Sequence, residues 1–108
     1  MHKGVIVLLP FPFSDLSGQK VRPALILFSA KGNEDCIVAF ISSKKDKRRN
    51  RFDISVIASS QNGLKLDSVI KINKIATLQK KVILGELGVL ESALCKEVDR
   101  KIKEVFNI

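Results

Sequence analysis

Residues 21–43 read VRPALILFSAKGNEDCIVAFISS. Two apolar runs of strand length, Val21 to Phe28 and Cys36 to Ile41, flank Ser29 to Asp35, where Lys31-Gly32-Asn33 supplies turn chemistry. This is the pattern of two antiparallel strands joined as a hairpin. Both runs are apolar without a strict alternation, so both faces of each strand are expected to be mostly buried. Arg22 and Pro23 interrupt the first run, and a charge at the start of an otherwise apolar strand needs an explanation.

Working outward toward the N-terminus, Val5 to Leu9 is a further strand candidate, ending at Pro10-Phe11-Pro12-Phe13. Two prolines remove backbone donors, so this strand must stop there or reach an edge. Ser14-Asp15-Leu16-Ser17-Gly18-Gln19 is rich in turn formers, which makes Pro10 to Lys20 a loop of about ten residues, a length usually tied to function. Toward the C-terminus, Phe52, Ile54 and Val56 alternate with Asp53 and Ser55, as in a half-buried strand. Ser68 to Ile72 and Ile75 to Leu78 read as two short strands around Asn73-Lys74. Val82 to Leu90 reads as another, with Gly85 and Gly88 marking a bulge or a close approach. From Glu91 the period changes: Leu94, Cys95, Val98, Ile102, Val105 and Phe106 share one helical face. The pattern predicts one domain over residues 1–108, mainly β (α+β), with a strongly bent antiparallel sheet or small barrel and a C-terminal helix packed on it.

The chain has 108 residues, a formal net charge of +8 and a sequence pI near 9.8, a field that attracts phosphate backbones, anionic membranes or an acidic protein. The run Val5 to Leu9 is far short of the ~20 residues that span a bilayer, and no small-residue cleavage site follows it, which points to a soluble cytoplasmic protein. Cys36 and Cys95 are too far apart for a C-x-x-C motif, and His2 is the single histidine. Neither set completes a metal cluster, and the thiols are read as buried and free.

The densest charge cluster is Lys44-Lys45-Asp46-Lys47-Arg48-Arg49-Asn50-Arg51, where six basic residues and one acidic give a local +5. Such a run can follow a phosphate backbone, or can be a solvated loop that keeps the protein in solution. Arg22 is the more informative cation. Its planar donor fork suits a phosphate and the charge that develops on it during transfer, or else a structural salt bridge to a carboxylate such as Asp15. Ser42 and Ser43 end a strand, where small hydroxyls can reach a ligand and are also ordinary turn residues. With one histidine and no convincing carboxylate cluster for Mg²⁺, RNA-cutting chemistry would have to rely on Arg22, a lysine, a carboxylate or hydroxyls, which favours a metal-independent route without cofactor over a two-metal one.

The stretch GVIVLLPFPFSDLSGQKVRPAL from Gly4 to Leu25 resembles the N-terminal signature of the MazF/PemK family of toxin endoribonucleases. VAFISS at Val38 to Ser43, GLKLDSVIKINKIATL at Gly63 to Leu78, and LGELGVL before the terminal helix follow in the family's order. The resemblance implies an SH3-like, MazF-type barrel, usually a homodimer, that cuts single-stranded RNA without metal and is held inactive by an antitoxin. It assigns Arg22 to the scissile phosphate and to proton transfer, and Ser42 to the assisting hydroxyl, where relatives often carry threonine. Gln19, Lys20, Ser43, Lys44, Lys45, Lys47, Arg48, Arg49, Arg51, Lys74 and Thr77 are the expected RNA contacts. Some relatives place an arginine where this chain has Ala76, and Lys74 is the candidate to replace its charge. An acidic residue usual after the first glycine is Val5 here, and Phe11 and Phe13 either stack on bases or pack inward. Two functions follow: a toxin endoribonuclease, or a non-catalytic barrel relative that binds RNA or a protein such as a topoisomerase.

Overall fold

The computed structural model describes residues 1–11, 20–43 and 49–108, with the Phe11 side chain left out. Six strands, β1 (Val5–Phe11), β2 (Lys20–Ser29), β3 (Asp35–Ser43), β4 (Asp53–Val56), β5 (Ser68–Gln79) and β6 (Gly85–Val89), precede one helix, α1 (Ser92–Phe106). They form a single sheet in the order β4-β5-β3-β2-β1-β6, antiparallel at every pairing, curled into a half-barrel. A 3-10 turn over Lys80–Val82 links β5 to β6.

The hairpin of β2 and β3 lies mid-sheet, and its side chains alternate between two buried clusters. Leu25, Ala39 and Ile41 join Ile6, Ile54, Ile70 and Ile72 in the larger one, which α1 covers through Val98, with Leu94, Cys95, Ile102 and Val105 packed against it. Ala24, Ile26, Cys36 and Val38 join Val5, Val7 and Leu9 in the other. Burial on both faces explains why these strands carry near-continuous apolar runs.

Three expectations need correction. Ser68–Gln79 is one strand: Ala39 pairs with Ile75 and Phe40 with Lys71, so a bulge in β5 takes up Ile72, Asn73 and Lys74 while the ladder continues on either side. The last strand is shorter than Val82 to Leu90: it spans Gly85–Val89, and Val82 belongs to the 3-10 turn. Phe106 keeps the spacing of the helix's apolar face but is 55 % exposed, one residue before the left-handed Asn107 that ends the helix. Pro10, in contrast, fits its strand because β6 pairs with β1 only as far as Leu8, so Pro10 faces a free edge on that side.

The segment between β4 and β5 lies against β6, where the Val89 N–H donates to the Gln61 carbonyl at 2.9 Å, and one buried side chain ties it to Glu91 just beyond that strand. Asn62 is fully buried; its amide donates to the Ile57 carbonyl at 3.0 Å and to Glu91 Oε1 at 3.1 Å, and its oxygen accepts the Ser59 and Leu64 N–H groups at 3.1 and 3.0 Å. Ser59 Oγ donates to Glu91 Oε2 at 2.6 Å. The approach is so close that a Cβ at Gly63 would sit 2.1 Å from the Leu87 carbonyl oxygen, at a φ of +72°. Losing a buried, fully used amide costs about 1–3 kcal/mol for each group left unpaired, so Asn62→Ala is expected to lower unfolding free energy in urea by more than ~2 kcal/mol. The Ser59 hydroxyl, and then Asn62, hold the Glu91 carboxyl below its usual range. Its contribution is therefore complete above the unfolded carboxyl's value of about 4.3 and is lost as pH falls through the lowered folded value. Urea melts at pH 6 and pH 3 should show a smaller acid loss in Glu91→Gln than in the unmodified chain.

Candidate functional site

Arg22 is placed by two ladders. On the β1 side it pairs with Leu9, and this ladder runs on to Phe11 and Lys20. On the β3 side the paired register starts at Ala24↔Phe40, just past Pro23, which has no N–H to give. Continuing that register by two residues sets Arg22 across from Ser42, which in turn pairs with Val69 of β5. Arg22 is exposed, whereas the Ser42 hydroxyl is buried and has no hydrogen-bond partner among the described residues. A buried hydroxyl without a partner costs about 1–3 kcal/mol, so it marks a place where the fold gives up stability.

A cavity of about 610 Å³ opens beside this row. Leu8, Ile41, Leu64 and Leu87 make its apolar wall, and Lys20, Arg22, Ser43 and Lys65 bring polar and cationic groups to it. Strand alternation decides which serine faces where: Ser43 lines the cavity, and Ser42 lies on the opposite face of β3. The cavity and the Arg22–Ser42 row thus meet at Arg22, which borders both.

Leu64, Lys65 and Leu66 are site residues that the sequence reading did not single out. They belong to the segment pinned by Asn62, and Leu66 leaves 56 % of itself in solvent at the cavity mouth. The alternation of two leucines around a lysine, just after a turn, is the only signal that could have pointed to them.

The other expected contacts divide. Lys20 and Ser43 lie with Arg22 at the cavity. Arg49 and Arg51 are exposed at the root of β4; the Arg51 guanidinium sits 5.0 Å from the Phe52 ring centroid, and its carbonyl accepts Lys101 Nζ at 2.6 Å. Lys74 is exposed at the β5 bulge. Thr77 pairs with Ile37, five residues along β3 from Ser42, or about 17 Å at the rise of a strand. Thr77 is therefore not brought to Arg22. Gln19, Lys44, Lys45, Lys47 and Arg48 lie outside the described residues, as do Asp15 and Phe13. Among the described residues no group of three or more His, Cys, Asp or Glu could hold a metal, and no helix is long and apolar enough to cross a membrane. Cys36 is buried and Cys95 half-buried, both are free, and burial pushes both thiols up.

A half-barrel of this topology, with an Arg-Pro strand start beside a serine-ended strand, defines a class. Residues 2–106 match the model of the PemK-like, MazF-like toxins of type II toxin–antitoxin systems. The chain belongs to that family. No curated protein matches it. Among solved structures it is similar to a mycobacterial endoribonuclease in complex with its cognate antitoxin, at TM-score 0.79 and 14% identity, covering 100% of this chain and 96% of that one. It is also similar to Mycobacterium tuberculosis toxin MazF-mt6, at 0.77 and 20% identity, covering 96% and 97%. A chain of the MazE-MazF structure (Form-II) from Deinococcus radiodurans gives 0.77 and 20%, covering 100% and 96%. At these identities the likeness is one of fold.

Proposed function

We propose that this chain is the toxin of a type II pair and acts as a metal-independent endoribonuclease on single-stranded RNA, as a cytoplasmic homodimer restrained by an acidic antitoxin. The observation that carries this reading is the Arg22–Ser42 row: an exposed guanidinium opposite a buried hydroxyl without a hydrogen-bond partner among the described residues, beside a cavity that Lys20 and Lys65 help to line. Family membership and solved relatives in complex with antitoxins support the same reading.

In this reaction the ribose 2′-oxygen forms a bond to phosphorus as its proton leaves, and the bond from phosphorus to the 5′-oxygen breaks as that oxygen takes up a proton. A 2′,3′-cyclic phosphate and a 5′-hydroxyl result. Charge grows on the non-bridging oxygens, where the fork of Arg22 can give two hydrogen bonds. Ser42 can give one more, from a hydroxyl that no described residue engages.

Purified protein should cut a long single-stranded RNA in EDTA. Arg22→Ala should lose about 100- to 1000-fold in rate, the usual effect of removing one charge-stabilising donor; Ser42→Ala should lose less. Full-rate cleavage by Arg22→Ala would remove it from the mechanism, and an unmodified chain that binds RNA without cutting it would make the protein a binder only. Lys65→Ala should weaken RNA binding and make the slope of log affinity against log salt shallower by about 0.7, one phosphate contact on a single strand. An unchanged slope would take Lys65 off the RNA path.

A further inference from the structure

Strand register places a second charged group on the Arg22–Ser42 face. Val7, Ala24, Phe40, Lys71 and Asp53 form one row across five strands, next to the row that holds Arg22 and Ser42. Lys71 Nζ lies 2.9 Å from Asp53 Oδ2, with the two side chains 6% and 7% exposed. Because Ser42 pairs with Val69, Lys71 is its diagonal neighbour, at a spacing that long side chains can bridge.

One feature sets this pair apart from a structural ion pair. A buried pair is weak evidence of stabilisation, since apolar residues of similar volume often serve as well or better. This pair is incompletely satisfied: Asp53 Oδ1 is buried and without a hydrogen-bond partner, and the only other such side-chain atom among the described residues is Ser42 Oγ. Both orphaned oxygens belong to adjacent rows of one face. The remaining Asp53 oxygen also accepts the Asn50 N–H at 3.0 Å, which ties the end of the basic run to the same carboxylate.

Building on the endoribonuclease reading above, we propose that Lys71, clamped by Asp53, is a positioning residue of the phosphate site. Its ammonium fixes the field behind Ser42 and turns the hydroxyl toward the scissile phosphate. Asp53 holds the ammonium in place and supplies a fixed post for the chain leading out of the basic run.

The test is a cycle of variants read by single-turnover cleavage, with binding measured separately on an RNA carrying a 2′-deoxy residue at the cut site. The neutral pair Lys71→Met with Asp53→Asn is expected to melt cooperatively, bind the uncleavable RNA within about threefold, and cleave at least about tenfold more slowly, a coupling of ordinary size for neighbouring residues. Lys71→Arg, which keeps the charge, should retain about a third of the rate or more. In a Ser42→Ala background, with no hydroxyl to orient, the neutral pair should lose less than about twofold. If the neutral pair does not fold, the isosteric Asp53→Asn carries the same comparison. Equal losses with and without the Ser42 hydroxyl, or full-rate cleavage by a folded variant, overturn the inference. RNA left intact by the unmodified chain overturns the endoribonuclease reading and this inference together, whereas an active chain with equal losses overturns only the inference.

Discussion

The structure depends on the alternation of β3 between two buried faces. Cys36 and Val38 point into one cluster, Ala39 and Ile41 into the other, and each is almost wholly removed from water. A slip of one residue would exchange the two sets and push the polar end of the strand into the interior, so the register is fixed from both sides at once. Where the apolar run ends, the same alternation sends Ser42 to one face and Ser43 to the other. The strand that organises the packing therefore also delivers a hydroxyl to each side of the sheet beside Arg22.

The second constraint is the junction of Asn62, Ser59 and Glu91. It joins the loop after β4 to the residue that precedes the helix, and it leaves no room for a side chain at Gly63 or Gly88. The loop is thereby pressed flat against β6, and its next residues, Leu64 to Leu66, become part of the cavity wall. Stability and site geometry share these contacts. Polar groups are satisfied at this junction, whereas Ser42 Oγ and Asp53 Oδ1 have no hydrogen-bond partner among the described residues.

Most of the fold was legible because its signals are local. The hairpin of β2 and β3 followed from two apolar runs about Lys31-Gly32-Asn33, and the helix from its change of period at Glu91. The continuity of β5 was not legible. Asn73-Lys74 looks like a turn, and only the pairing that resumes on either side of a bulge in β5 shows that the ladder survives it. Phe106 has the spacing of a core residue, yet the helix ends before it finds a partner. At the candidate site, Arg22 stands out in the sequence as a charge within an apolar strand, and Ser42 through the family pattern. Lys65 and its flanking leucines were hidden because Asn62 places them, a residue whose importance lies in four hydrogen bonds formed only in the folded chain. Lys71 and Asp53 were hidden for a related reason: in sequence they lie 18 residues apart, and each looks like the solvated half of an alternating strand.

The central claim is that the Arg22–Ser42 row binds a phosphate under attack by its own ribose. The ends of the cleaved RNA test it most directly. Mass spectrometry of fragments from a defined single-stranded substrate should show 2′,3′-cyclic phosphate or its opened 3′-phosphate on one side of the cut and a 5′-hydroxyl on the other. Fragments bearing 5′-phosphate and 3′-hydroxyl ends would mean that water or another external nucleophile attacks, and would contradict the account.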